Sequence, residues 1–224
     1  MIKVSPSGIG MLLECPRCLW LYVNEGVKRP FGVFPSLPGG MDGLFKAYFD
    51  TYRAKGKLPP EIEGKVEGKL FADVAKLKQW REIDFGRGGL HAQFLDWDIE
   101  LGGAIDELLI NDQGEYVPFD FKTRGYPTKD DTHEHYQHQL DLYSLLFEKN
   151  NLRPANYGYL LFFWPREYGE GRAMFDTKLV RLKINSKNGL KILEEVYRIA
   201  NSEKPAAHSK CEYCLYRDGA IEGE

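Results

Sequence analysis

A chain of 224 residues with 43% hydrophobic and 28% charged residues has the make-up of a soluble globular domain, long enough to bury a core. Its formal charge of -3 excludes a uniformly basic nucleic-acid coat but leaves room for a local basic groove. No run reaches the roughly eighteen apolar residues of a membrane span, and no leader precedes a cleavage site; the expected location is the cytoplasm, with no membrane partner.

In chain order, "SPSGIGMLLEC" predicts a short helix with Ser5 as N-cap and Pro6 at its first position, leading into Cys15. Residues 24–40, rich in Pro and Gly, read as a loop. Leu44, Phe45, Tyr48, Phe49 and Tyr52 recur at helical spacing, and Gly56 ends that helix, read over 41–54. Residues 57–90 hold at most one short helix.

β patterning follows. Leu95, Trp97, Ile99 and Leu101 alternate with Asp96, Asp98 and Glu100, which predicts a strand near 94–101 with the acids on a solvated face. "GAIDELLI" and "EYVPFDFKT" flank "NDQG" and read as a hairpin, its arms near 103–110 and 116–123. A helix is expected over 134–149, a strand over 157–164 and another at "TKLVRLKI". "NGLKILEEVYRIAN" is an amphipathic helix, and Pro205 interrupts the chain after it.

All four cysteines lie in two C-x-x-C pairs, Cys15 with Cys18 and Cys211 with Cys214. Cytosolic thiols stay reduced, so a structural disulfide is disfavoured. Two such pairs make a closed ligand set for zinc or for a 4Fe-4S cluster. "CPRC" alone is also compatible with a redox motif, though that leaves "CEYC" without a role.

The hairpin carries the chemistry. Asp120 and Lys122 leave one face of a strand, and the midpoint of positions 106 and 120 falls at residue 113, inside the turn. Asp106 is therefore expected roughly opposite Asp120. Two carboxylates that close repel unless a cation lies between them, and Mg2+ takes one or two carboxylates together with substrate phosphates. With Lys122 to hold a water, the group fits phosphodiester hydrolysis. Taken singly, Asp-x-Lys also describes a surface ion pair, and Pro118 points to an edge or irregular strand.

"GAIDELL", then "VPFDFKT", then "QLDLY" resembles the PD-(D/E)XK nuclease superfamily, and within it the RecB-like branch with the AddB and RecB nuclease domains and the CRISPR-associated iron-sulfur exonucleases. The branch pattern of G-x-x-D, D/E-x-K and Q-x-x-x-Y fits Gly103 and Asp106, Asp120 and Lys122, and Gln139 and Tyr143. The resemblance implies an α/β fold with a restriction-endonuclease-like core of helix, three strands, helix and strand, its mixed sheet flanked by helices. It implies one domain over 1–224, with 1–30 and 205–216 as a cysteine-cluster clamp.

By the same resemblance, Asp106, Asp120 and the Phe121 carbonyl would bind Mg or Mn, Lys122 would position water, and Gln139 and Tyr143 would orient the site or the DNA backbone. Where the branch has a metal-binding His, this chain offers Asp42. Where the branch has one cysteine and then three, this chain has two and two. Cys15, Cys18, Cys211 and Cys214 would hold a 4Fe-4S cluster, with zinc as the alternative. The implied activity is a Mg/Mn-dependent deoxyribonuclease, an exonuclease rather than an endonuclease. Its substrate is DNA, single-stranded or with free ends, and its partners are DNA-repair or CRISPR-adaptation proteins. The alternative is an inactive relative that binds nucleic acid or a partner. Lys122, Arg124, Lys129, Arg17, Lys28 and Arg29 are candidates for a basic rim.

Overall fold

Alternation along "VPFDFKT" sends Val117, Phe119 and Phe121 to one side of a strand and Pro118, Asp120 and Lys122 to the other, and the layers follow that division. The computed structural model describes residues 1–30, 36–82 and 88–221. In chain order its elements are β1 (Ile2–Val4), α1 (Gly10–Glu14), α2 (Pro16–Glu25), α3 (Ser36–Arg53), β2 (Lys69–Leu70), α4 (Val74–Arg81), β3 (Leu90–Phe94), β4 (Ile99–Gly103), β5 (Glu107–Ile110), β6 (Tyr116–Thr123), α5 (Gln137–Lys149), β7 (Tyr157–Gly169), β8 (Arg172–Lys183), α6 (Ser186–Ala200) and α7 (Glu212–Ile221).

Among the described residues there are two sheets. A mixed five-stranded sheet runs β2-β5-β6-β7-β8, with β6 and β7 parallel and the other pairs antiparallel. A three-stranded sheet runs β1-β4-β3. On one face of the larger sheet, Phe45 and Phe49 of α3 pack against Phe119, Phe121, Tyr159 and Phe163. On the other, α5 is buried along nearly its whole length: Leu140, Leu142 and Leu146 pack with Leu160 and Phe162 and with Leu193 and Val196 of α6. A helix buried that completely can present polar side chains inward only where partners await them.

The mixed α/β fold with flanking helices is the one expected. Several boundaries differ. The first helix starts at Gly10, not after Ser5. Ser5 Oγ instead accepts the N–H of Gly8 at 3.0 Å in a tight turn. The proline at a first helical position is Pro16 of α2. The loop read over 24–40 is overturned at both ends, because α2 runs to Glu25 and α3 begins at Ser36; residues 31–35 lie outside the described residues. Pro38 is tolerated because a first-turn N–H has no partner inside the helix. Residues 57–90 hold β2 as well as α4, with 83–87 outside the described residues.

The strand near 94–101 is a hairpin instead. β3 and β4 pair antiparallel, and Leu95–Trp97 form a 3-10 turn closed by Asp98 at φ 51. Leu95, expected inward, is 80% exposed, while Glu100, expected in solvent, is buried beside Lys3 and His91. Pro118 is on a central strand, not an edge. The Tyr116 N–H aims at Arg153 O, toward the β7 side, so position 118 aims there too. Gly158 faces it, where an added Cβ would come within 3.0 Å of Pro118.

Candidate active site and cysteine centre

The β5–β6 register pairs Glu107 with Phe119 and Leu108 with Pro118. Continued by one residue, it sets Asp106 against Asp120. Asp106 is just ahead of β5, and its Oδ2 accepts the Phe121 N–H at 3.2 Å. Gly103 precedes it where space is short, since a Cβ there would stand 3.0 Å from Leu146 and 3.1 Å from Pro6. From α5, Gln139 joins the pieces. Its Nε2 donates to Asp120 Oδ1 at 3.0 Å and to Tyr143 OH at 3.2 Å, and its Oε1 accepts from Lys122 Nζ at 2.9 Å. Tyr143 donates to the Ala104 carbonyl at 2.7 Å.

These side chains line one cleft of about 340 Å³. The structure thus brings together Asp42, Asp106, Asp120, Lys122, Gln139 and Tyr143. Phe121 contributes only main chain, because its ring is buried against Phe45 and Phe49. Sequence reasoning missed Lys46. From α3 its ammonium lies 2.6 Å from Asp42 Oδ2 and 2.9 Å from Asp106 Oδ1. Its only signal is a spacing of four residues from Asp42 on one helix face. Arg81 was missed as well; its Nε donates to the Asp106 carbonyl at 2.9 Å.

The structure does not bring all six basic-rim candidates to this cleft. Lys122 alone of the six lines this cleft. Arg17 and Arg29 lie by the cysteines, paired with Asp218 and Glu14.

Electrostatics mark the cleft. Burial, reinforced by the Asp106 charge, raises the Asp120 carboxyl from 3.8 to about 7 despite Lys122 beside it. Burial and the two acids push the Tyr143 phenol well above its ordinary value. Burial works against the Lys46 ammonium, but Asp106 and Asp42 overcome it and hold its pKa above normal. Lys122 contacts Asp120 Oδ2, yet that buried oxygen receives no well-directed hydrogen bond from the described residues. A carboxylate oxygen so placed, beside a second carboxylate, fits a divalent cation.

The four cysteines converge, all buried, with their sulfur atoms within 4.8 Å of one another. Individual separations are 3.9 Å for Cys15–Cys214, 3.5 Å for Cys18–Cys211 and 3.6 Å for Cys18–Cys214. Burial raises the Cys18 and Cys214 thiols. At Cys15 burial is outweighed by main-chain donors from His208 and Cys18, and the thiol falls to about 7. Four thiols this close cannot all ionise without a cation among them, so the donor set fits a metal.

No curated protein matches the chain. Among solved structures it is similar to one titled "Crystal structure of SSO0001", at 15% identity and a TM-score of 0.45, over 96% of this chain and 84% of that one. The sequence pattern of the PD-(D/E)XK nuclease superfamily matches residues 45–218. That span runs from α3 into α7 and takes in Lys46, Asp106, Asp120, Lys122, Gln139 and Tyr143. The chain belongs to the PD-(D/E)XK nuclease superfamily.

Proposed function

We propose that the protein is a metal-dependent nuclease that hydrolyses phosphodiester bonds in DNA, acting as an exonuclease on single-stranded or free-ended substrates. The observation that carries this reading is the meeting of Asp106, Asp120 and Lys122 in one cleft, locked by Gln139. Membership in a superfamily of nucleases supports a nucleic-acid substrate.

Asp106 and Asp120 would hold Mg2+ or Mn2+, with the Phe121 carbonyl and Asp42 as further oxygen donors. A divalent cation bound there would lower the pKa of its water and offset phosphate charge. Lys122 orients the attacking water and steadies charge on the phosphate. Gln139 keeps the Lys122 ammonium and the Asp120 carboxylate in register, and Tyr143 anchors Gln139.

Cys15, Cys18, Cys211 and Cys214 would form a structural metal centre, and residues 1–30 and 205–216 a clamp within a single domain. Zn–S bonds of about 2.3 Å in a tetrahedron put sulfur atoms about 3.8 Å apart. The separations of 3.5, 3.6 and 3.9 Å favour such a single ion. A 4Fe-4S cluster, favoured by resemblance to the RecB-like branch, requires the cysteines to stand farther apart, since four irons then lie between them. Metal analysis and the visible spectrum of protein purified without oxygen separate the two: one zinc per chain, or brown protein with iron and sulfide.

The same branch resemblance supports DNA-repair or CRISPR-adaptation partners, and the reduced cysteines suit the cytoplasm. A second reading, a silent relative that only binds nucleic acid, is favoured by one observation: the Lys46 ammonium already pairs with both Asp42 and Asp106. Labelled single- and double-stranded DNA, incubated with Mg2+ or Mn2+ beside a Lys122→Ala control, decides between them. Metal-dependent cleavage lost in the control supports the nuclease; binding without cleavage supports the silent relative.

A further inference from the structure

Each oxygen of Asp106 has a partner. Oδ2 accepts the main-chain N–H of Phe121, which β6 holds in place. Oδ1 pairs with Lys46 Nζ, and that ammonium also pairs with Asp42. The two lysines of the cleft are held differently. Lys122 is tied to the Gln139 amide as well as to Asp120, and it stands 4.6 Å over the Tyr136 ring. Lys46 has two carboxylates as its ion-pair partners, and its side chain, 20% exposed, lines the cleft.

We propose that Lys46 is a tethered cation: it holds Asp42 and Asp106 together in the metal-free protein, yields Asp106 to an entering divalent cation, and then pairs with a phosphate of the bound strand. The inference rests on the metal-dependent nuclease reading. A hard cation takes carboxylate oxygens directly, and the Asp106 oxygen not engaged by main chain is the one Lys46 contacts. Metal and ammonium therefore compete for Oδ1. The loser is a compact charge on a flexible four-carbon stem, so the exchange asks nothing of the α3 backbone. Lys122 and Arg81 also line the cleft but are already engaged, Lys122 by Asp120 and Gln139 and Arg81 by Asp50 and Glu107, so an incoming phosphate is the complementary partner for the released ammonium. Metal loading and strand binding are thereby linked, because the cation presented to phosphate is the one the metal displaces.

The test uses the full chain with its cysteine centre loaded. MnCl2 is titrated by calorimetry into wild type, Lys46→Met, Lys46→Arg and Asp120→Asn. A labelled single-stranded oligodeoxynucleotide is bound in CaCl2 and read by fluorescence anisotropy. Lys46→Met is expected to bind Mn2+ about tenfold more tightly and the oligonucleotide about tenfold more weakly, with Lys46→Arg near wild type in both. A merely loosened fold weakens both, so the opposite signs are diagnostic. Should Lys46→Met not fold by circular dichroism, Lys46→Gln makes the same comparison. Unchanged or weaker Mn2+ binding in the neutral variant, while wild type binds and Asp120→Asn does not, overturns the role of Lys46. Equal Mn2+ binding by wild type and Asp120→Asn overturns the nuclease reading itself.

Discussion

Arg81 holds the main chain of Asp106, its Nε donating to that residue's carbonyl at 2.9 Å. The same guanidinium reaches Asp50 at 2.8 Å and Glu107 at 3.0 Å. Glu107 is fully buried, takes a second guanidinium from Arg53, and accepts the N–H of Leu108 at 2.8 Å. This network fixes the start of β5, where the cleft's first carboxylate begins.

Glu107→Ala should therefore destabilise the protein by about 1–3 kcal/mol, because it removes the buried carboxylate that Arg53 and Arg81 share, leaving Arg53 only Asp50 and the Phe71 carbonyl. Chemical denaturation followed by circular dichroism measures it. A loss below about 1 kcal/mol would mean that the network contributes little.

Lys122→Ala should lower the cleavage rate by about a hundredfold or more while the fold is retained. Gln139→Ala should cost about tenfold, since it frees both Lys122 and Asp120 from their tie without removing either. Single-turnover cleavage of labelled DNA in Mn2+ ranks the two; a Gln139 variant as fast as wild type would contradict the positioning role.

Gly189→Ala sets two effects against each other. Alanine gains up to about 1 kcal/mol of helix propensity over glycine. Its Cβ would lie 2.8 Å from the Asp141 carbonyl oxygen, so α5 and α6 would have to part. Overpacking of this kind costs about 1–3 kcal/mol, and a net loss of stability is expected from thermal melting.

Cys211→Ser should abolish stoichiometric metal at the cysteine centre and expose the segments around both pairs to limited proteolysis. Elemental analysis and peptide mapping of the digest check it. A variant that keeps its metal and its protease resistance would argue against a four-thiolate site.

The heart of the cleft was legible because two strong rules agree there. Strict alternation put Asp120 and Lys122 together, and the "NDQG" turn set the register. That turn is held locally, with Asn111 Oδ1 accepting the N–H groups of Gln113 at 3.1 Å and Glu115 at 2.8 Å. The cysteine centre was legible from spacing alone. Lys46 and Arg81 were not, since a single cation on a helix face looks the same whether it meets solvent or a carboxylate from a distant strand. Glu107 stood at the head of the apolar run 108–110, but periodicity cannot say that two arginines come to meet it. Alternation misled at Leu95–Leu101, where Asp98 takes a left-handed conformation and one apparent strand becomes two. Pro38, Gly39 and Gly40 disguised the first turn of α3.

Cys18 and Cys211 are separated by 193 positions in sequence and 3.5 Å in space. An ion shared between them would act like a knot tied near both ends of a long cord. While it stays bound, the uncoiled chain loses much of its freedom to wander, an entropic handicap of about 5 kcal/mol for a loop of that size. Withdrawal of the ion would then be felt as far away as α5 and the cleft, through the cooperativity of the whole molecule rather than any local contact.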